Sequence, residues 1–103
     1  MIEYKLTRHR DRLTHIRKNF KSVLIHNDKP NEAFDFPPQI GHSIVVYSNI
    51  WDYWQTTEVK SVEKINDNKY SFTTLNSIYT VERIQPDIKL YEDKIKSIKN
   101  KSN

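Results

Sequence analysis

The chain has 103 residues, 36% of them hydrophobic and 12% aromatic, with one glycine, no cysteine and a net charge of +4. That length predicts a single domain with one modest core. The missing thiols exclude disulfides, iron–sulfur clusters and zinc ribbons and point to a reducing compartment. No apolar run approaches the ~20 residues of a membrane span, and the first residues lack an apolar leader, so a cytoplasmic location is expected.

The positive charge is concentrated. Residues 1–27 hold seven Lys/Arg against Glu3 and Asp11, and the remainder is close to neutral. Arg8, Arg10, Arg12 and Arg17 lie within ten residues, and Arg83 is the only other arginine. Guanidinium groups are planar, always charged and matched to phosphates and carboxylates. Crowding them predicts an anionic partner, although a solvated basic face would also account for them.

Residues 5–26 read as a basic amphipathic helix. Leu13, Ile16, Phe20 and Leu24 recur at i, i+3, i+7 and i+11, the helical period, with Val23 alongside. On that helix Arg10, Arg17 and Lys21 share one flank, and Arg8, Arg12 and His15 share another. Thr7 is the expected N-cap. Residues 27–40 read as an acidic, Pro-rich linker carrying Phe34 and Phe36. These two either pin the linker to the domain or form a docking motif.

Residues 41–85 read as β-structure. Ile44–Tyr47 is a β-branched and aromatic run. Asn49–Asp52 is a turn or loop. A long strand follows from Trp54, with a phase shift between Val59 and Val62 that predicts a bend or bulge. Asn66–Asn68 and Leu75–Ser77 are tight turns around the alternating run Tyr70–Thr74. Ile78–Ile84 is the last strand. Residues 87–99 have Ile88, Tyr91, Ile95 and Ile98 at helical spacing and read as a short C-terminal helix. The expected class is therefore α+β: an N-terminal helix packed on a small antiparallel barrel, with a second helix at the end.

Three stretches carry a resemblance: Gly41-His42-Ser43, then Trp54-Gln55-Thr56-Thr57-Glu58-Val59, then Thr73-Thr74-Leu75-Asn76-Ser77-Ile78-Tyr79. Residues 41–84 resemble a small SH3-like β-barrel. The Thr-x-x-Asn-Ser-x-Tyr stretch is similar to one in short uncharacterised proteins of phages and mobile elements. The resemblance implies a phage or mobile-element protein that binds a host complex, with anti-CRISPR inhibitors of RNA-guided nucleases as one such class. It assigns no chemistry to individual residues.

Catalysis and metal binding find no support in the residues. Gly41 is the only glycine, so a P-loop or nucleophile elbow is absent. His9, His15, His26 and His42 form no i, i+4 pair and have no cysteine partner, so no metal and no cofactor are expected. Neither a membrane nor a small-molecule substrate is an expected partner. The preferred reading is a non-enzymatic module that contacts RNA or a host ribonucleoprotein. Arg8, Arg10, Arg12, Arg17, Lys18 and Lys21 would touch phosphates, and Trp51 and Tyr53 would offer stacking surfaces. The alternative is a protein–protein adaptor that uses the barrel or the Phe34/Phe36 linker.

Overall fold

The computed structural model describes residues 2–26 and 29–85. Nine antiparallel strands form two sheets: β1 (Glu3–Arg8), β2 (Thr14–Arg17), β3 (Asn19–His26), β4 (Lys29–Phe34), β5 (Ser43–Asn49), β6 (Asp52–Glu58), β7 (Ser61–Asn66), β8 (Lys69–Thr73) and β9 (Ile78–Ile84). One sheet has the order β2-β1-β9-β8-β7 and the other β4-β3-β5-β6. There is no helix among the described residues. The expected α+β class is therefore corrected to all-β, and residues 5–26 are strands instead of a helix. The C-terminal helix expected over 87–99 lies outside the described residues. The small, β-rich architecture is compatible with an SH3-like barrel.

Two strands turn corners and join the sheets. β2 leads into β3 through Lys18, leaving the first sheet and entering the second. β6 leads into β7 through Val59 and Lys60. The Val59 N–H donates to His42 O in one sheet at 2.8 Å, and the Lys60 N–H donates to Thr73 O in the other at 2.7 Å. This corner is the phase shift expected between Val59 and Val62. Gly41 lies opposite it, with φ +87° and its N–H donating 2.9 Å to Val59 O. That backbone conformation suits a residue without Cβ.

With the corner-turning strands taken as continuous, each strand pairs with the next along the chain, and β9 returns to pair with β1. β4 adds a hairpin at the far end of β3, with a register shift between Leu24 and Ile25. It pairs only with β3 and is an edge strand, a position where Pro30, lacking an N–H, is tolerated. Part of the expected linker is thus a strand.

The core lies between the sheets. Leu6, Phe72, Tyr79 and Val81 enter from the first, Phe20, Ile44 and Val46 from the second, and Val59 from the corner. Burying a side chain of this kind stabilises the fold by about 1.5–3 kcal/mol. Alternation sets the strand phase: Leu6 is fully buried while its neighbours Lys5 and Thr7 face the other way. Thr7, expected as a helix cap, is a mid-sheet residue opposite Thr14.

The strand and helix readings of the N-terminus make opposite predictions. Leu6 is 0% exposed and Leu13 is 41% exposed. Leu6→Ala should destabilise the protein by about 2–5 kcal/mol, read as a lower midpoint in urea. Leu13→Ala should stay within about 0.5 kcal/mol. A basic helix buried through Leu13 would reverse that order.

Candidate functional site

The cations expected to act together are distributed by strand geometry. Arg8 ends β1, with Arg10 and Arg12 in the following loop, which Asp11 organises. Its carboxylate accepts Arg8 Nη2 at 2.6 Å and Nε at 3.0 Å, and the Leu13 N–H at 3.2 Å. The paired guanidinium, with that backbone bond, holds the Asp11 carboxyl far below the usual carboxylate range. Arg12 takes a left-handed backbone conformation, φ 58°, uncommon for a residue with a side chain.

Further along, Arg17 ends β2. Its Nε and Nη2 each lie 3.0 Å from Asp52 Oδ1. Lys18 occupies the corner between the sheets, exposed. Lys21, on β3, pairs with Asp35 at 2.6 Å. Three of the six expected phosphate contacts are thus ion-paired, whereas Arg10, Arg12 and Lys18 have no ion pair to a described acid. The two-flank arrangement expected from a helix is corrected with the helix. Arg17, Lys18 and Lys21 lie around a bend, and Arg8, Arg10 and Arg12 lie around a loop.

Arg8 also covers one end of the core. Its guanidinium carbon lies 5.4 Å from the Trp54 ring centroid, and Trp54 meets Tyr79 edge-on at 5.9 Å. The His15 ring lies tilted against the same indole at 4.2 Å. The opposite end carries Arg83, 4.9 Å over Phe36. Phe36 in turn contacts Tyr4, Phe20 and Tyr70. Phe36 therefore pins the linker to the core. Phe34 is 39% exposed, with its ring 5.3 Å from that of His42. His42 Nδ1 lies 3.0 Å from Ser22 Oγ, which also accepts the Gln39 N–H at 3.2 Å. This buried bond anchors the linker's end.

Trp51 is the most exposed large hydrophobic residue described, at 88%. It forms the tip of the β5–β6 hairpin with Ile50. Asn49 Oδ1 fixes that tip by accepting the N–H groups of Trp51 at 2.8 Å and Asp52 at 3.0 Å, an Asx turn. Asp52, the next residue, binds Arg17 and ties the foot of the tip to the end of β2. Tyr53 follows, 56% exposed and paired in register with Tyr47. Asn19 lies opposite Tyr47 on the same outer face and donates 3.2 Å to its carbonyl. Arg17 is therefore tied to the foot of the tip through Asp52, and Tyr53 lies on the outer face with Tyr47, while Lys18 is at the corner, Lys21 lies further along β3 and Arg8, Arg10 and Arg12 surround the β1–β2 loop. The sequence reading missed Asn49 as the organiser of the tip and Asp52 as the link to Arg17. An Asn two and three residues before exposed N–H groups is the signal that marks the former.

Compared with known proteins, the chain matches no family model, no curated protein and no solved structure. Among the described residues, no group of three or more His, Asp or Glu could hold a metal ion, and no helix is long and apolar enough to cross a membrane.

His15 gives this region a pH dependence. Burial against Trp54, reinforced by the charges of Arg17 and Arg8 and opposed by Asp52, lowers its pKa from the ordinary 6.5. The unfolded chain then binds more protons than the folded one as pH falls below 6.5. His15 therefore contributes stability that is present above that pH and lost below it. His15→Gln should flatten the decline in unfolding midpoint measured from about pH 7.5 to about pH 5.

Proposed function

We propose that this chain is a non-enzymatic basic module that contacts single-stranded RNA, either free or displayed on a ribonucleoprotein. The observation that carries the reading is Trp51, 88% exposed on a tip that Asn49 holds in place. An indole presented to water on an ordered turn loses little entropy when a base stacks on it, and every base has a face to offer. Arg17 is bound to Asp52 beside that tip, Lys18 follows Arg17 in the chain, and Tyr53 and Tyr47 are register partners on the outer face. The ion pairs at Arg8, Arg17 and Lys21 are at the surface, where such pairs contribute little. A phosphate can take the place of the carboxylate. Arg10, Arg12 and Lys18 have no described carboxylate to release.

A protein-binding reading has one observation in its favour. Ile50, 77% exposed beside Trp51, adds an apolar side chain to the tip that has no stacking role. The Phe34/Phe36 version of that reading is weaker, because Phe36 is committed to the core end.

Fluorescence anisotropy with a labelled single-stranded RNA separates these readings. Binding should weaken with salt and exceed that of a duplex of equal length. Trp51→Ala should cost about 1–3 kcal/mol of affinity. Replacing Arg10, Arg12 and Lys18 together by Glu should remove roughly two units from the log–log salt slope, at ~0.7 per phosphate on single strands. No binding at low salt, or full affinity in Trp51→Ala, would overturn the RNA reading and leave the tip to a protein partner.

A further inference from the structure

The outer face of the five-stranded sheet carries a second basic surface that the sequence reading did not assign. The strand registers set Thr14, Thr7, Thr80 and Ser71 opposite one another, a row of hydroxyls across β2, β1, β9 and β8. The next row holds Ile16, Lys5, Glu82 and Lys69. Both rows face away from the core because the alternating partners Leu6, Phe72 and Val81 are buried. Two depressions open on this face. One of about 460 Å³ is lined by Lys5, Thr7, His9, Arg12 and Thr14. The other, about 230 Å³, shares Lys5 and Thr7 and adds Lys69, Thr80 and Glu82. The shared residues make them one groove.

The groove's chemistry selects its ligand. Lys5 and Arg12 have no ion pair to a described acid, and the left-handed backbone at Arg12 is a conformation that such a residue seldom adopts. Thr14 Oγ1 donates to Arg12 O at 3.1 Å and shares a long contact of 3.3 Å with Thr7 Oγ1, so the Thr7 hydroxyl is the one that can turn its proton to a ligand. His9 Nε2 lies 2.5 Å from Thr80 Oγ1, which fixes the ring on the groove's wall. Glu82 is the one carboxylate in the lining, and the register places it between Lys5 and Lys69. The balance is positive. His9, held by Thr80, is the one ring in the lining, and no Phe, Tyr or Trp lines the groove.

We propose that this groove binds a phosphate group, with Lys5 and Arg12 supplying charge and Thr7 supplying a hydroxyl donor. Charged donors combined with hydroxyls are the usual surroundings of a phosphate. The groove has more room than one phosphate fills, so the ligand carries its phosphate on a polar body such as a sugar. That body is either a free phosphate ester or the sugar of an RNA backbone. The inference stands apart from the RNA reading, because only Arg12 belongs to both surfaces.

The test is an amide NMR titration of the full chain with inorganic phosphate, ribose 5-phosphate and a short RNA containing only internal phosphodiesters. Saturable shifts confined to Lys5, Thr7, Arg12, Thr14 and Thr80 are expected with at least one of the three. Sodium chloride at matched ionic strength should produce none. Saturation by inorganic phosphate or ribose 5-phosphate identifies a free phosphate or its monoester as the source, and saturation by the RNA alone identifies the backbone. Lys5→Gln and Thr7→Val, both conservative at exposed or half-exposed strand positions, should each weaken binding about tenfold. Their spectra should keep the dispersion of the parent, and Trp51→Ala should leave the titration unchanged. Shifts spread over all basic residues, shifts reproduced by chloride, or undiminished binding in both groove variants would overturn the proposal. Those results would leave the RNA reading at the tip untouched.

Discussion

The pairing of β1 with β9 is the interaction on which the rest of the structure depends. Its register runs from Glu3↔Ile84 to Arg8↔Tyr79 and sets Leu6 opposite Val81, both fully buried. Without it the first sheet would divide into the β1–β2 hairpin and the β7–β8–β9 unit, each with an uncovered apolar face. A lone hairpin is marginal in water. The pairing joins the two ends of the described chain, and the entropy of closing so long a loop grows only slowly with its length. It also places the two arginines that cover the core. Arg8 lies opposite Tyr79 and Arg83 opposite Tyr4, and their guanidinium groups reach Trp54 and Phe36 at the two ends.

The same constraint explains which elements were legible in the sequence. The strands from Ser43 to Ile84 are punctuated by Asn49–Asp52, Asn66–Asn68 and Leu75–Ser77, and their alternation is clean. The N-terminal segment misleads because of the corner at Lys18. Before it the inward positions are His15 and Arg17, and after it Phe20 and Ser22. Three of those four are polar, while Ile16 faces out, so the apolar alternation that marks a half-buried strand is hidden. The spacing left between Ile16, Phe20 and Leu24 imitates a helix. Intrinsic preference pointed the other way. The segment holds Thr7, Thr14, Ile16, Val23 and Ile25 and no alanine, and β-branched residues lose rotamer freedom in a helix. Tyr4 and Leu6 also alternate, a signal outweighed by the longer pattern.

The candidate site was legible as residue types and not as an arrangement. Basic residues and exposed aromatics can be read from composition. The acids that tie them down cannot, because Asp52 and Asp35 reach Arg17 and Lys21 only after the sheets form. Only the Arg8–Asp11 pair is local. The hydroxyl row is non-local in the same way. Thr14, Thr7, Thr80 and Ser71 come from four strands, and none is notable in its own stretch of sequence.

Strand geometry also limits how such a cluster can meet an anion. On a helix, cations three or four residues apart form one stripe, and a regular phosphate backbone can follow it. On strands, neighbouring residues point to opposite faces, and a corner turns them further apart. Arg17 is held against Asp52 on one side of the bend while Lys18 faces solvent at the bend itself, and Lys21 emerges on the outer face of the second sheet. Such cations do not form the single stripe that a straight duplex would follow. A flexible single strand can, because its backbone bends and its bases turn outward to stack. The change from helix to strands therefore narrows the nucleic-acid reading. It replaces two flanks of one helix by a fixed aromatic tip and cations that diverge around a bend and a loop, an arrangement that supports the proposed single-stranded ligand over a duplex.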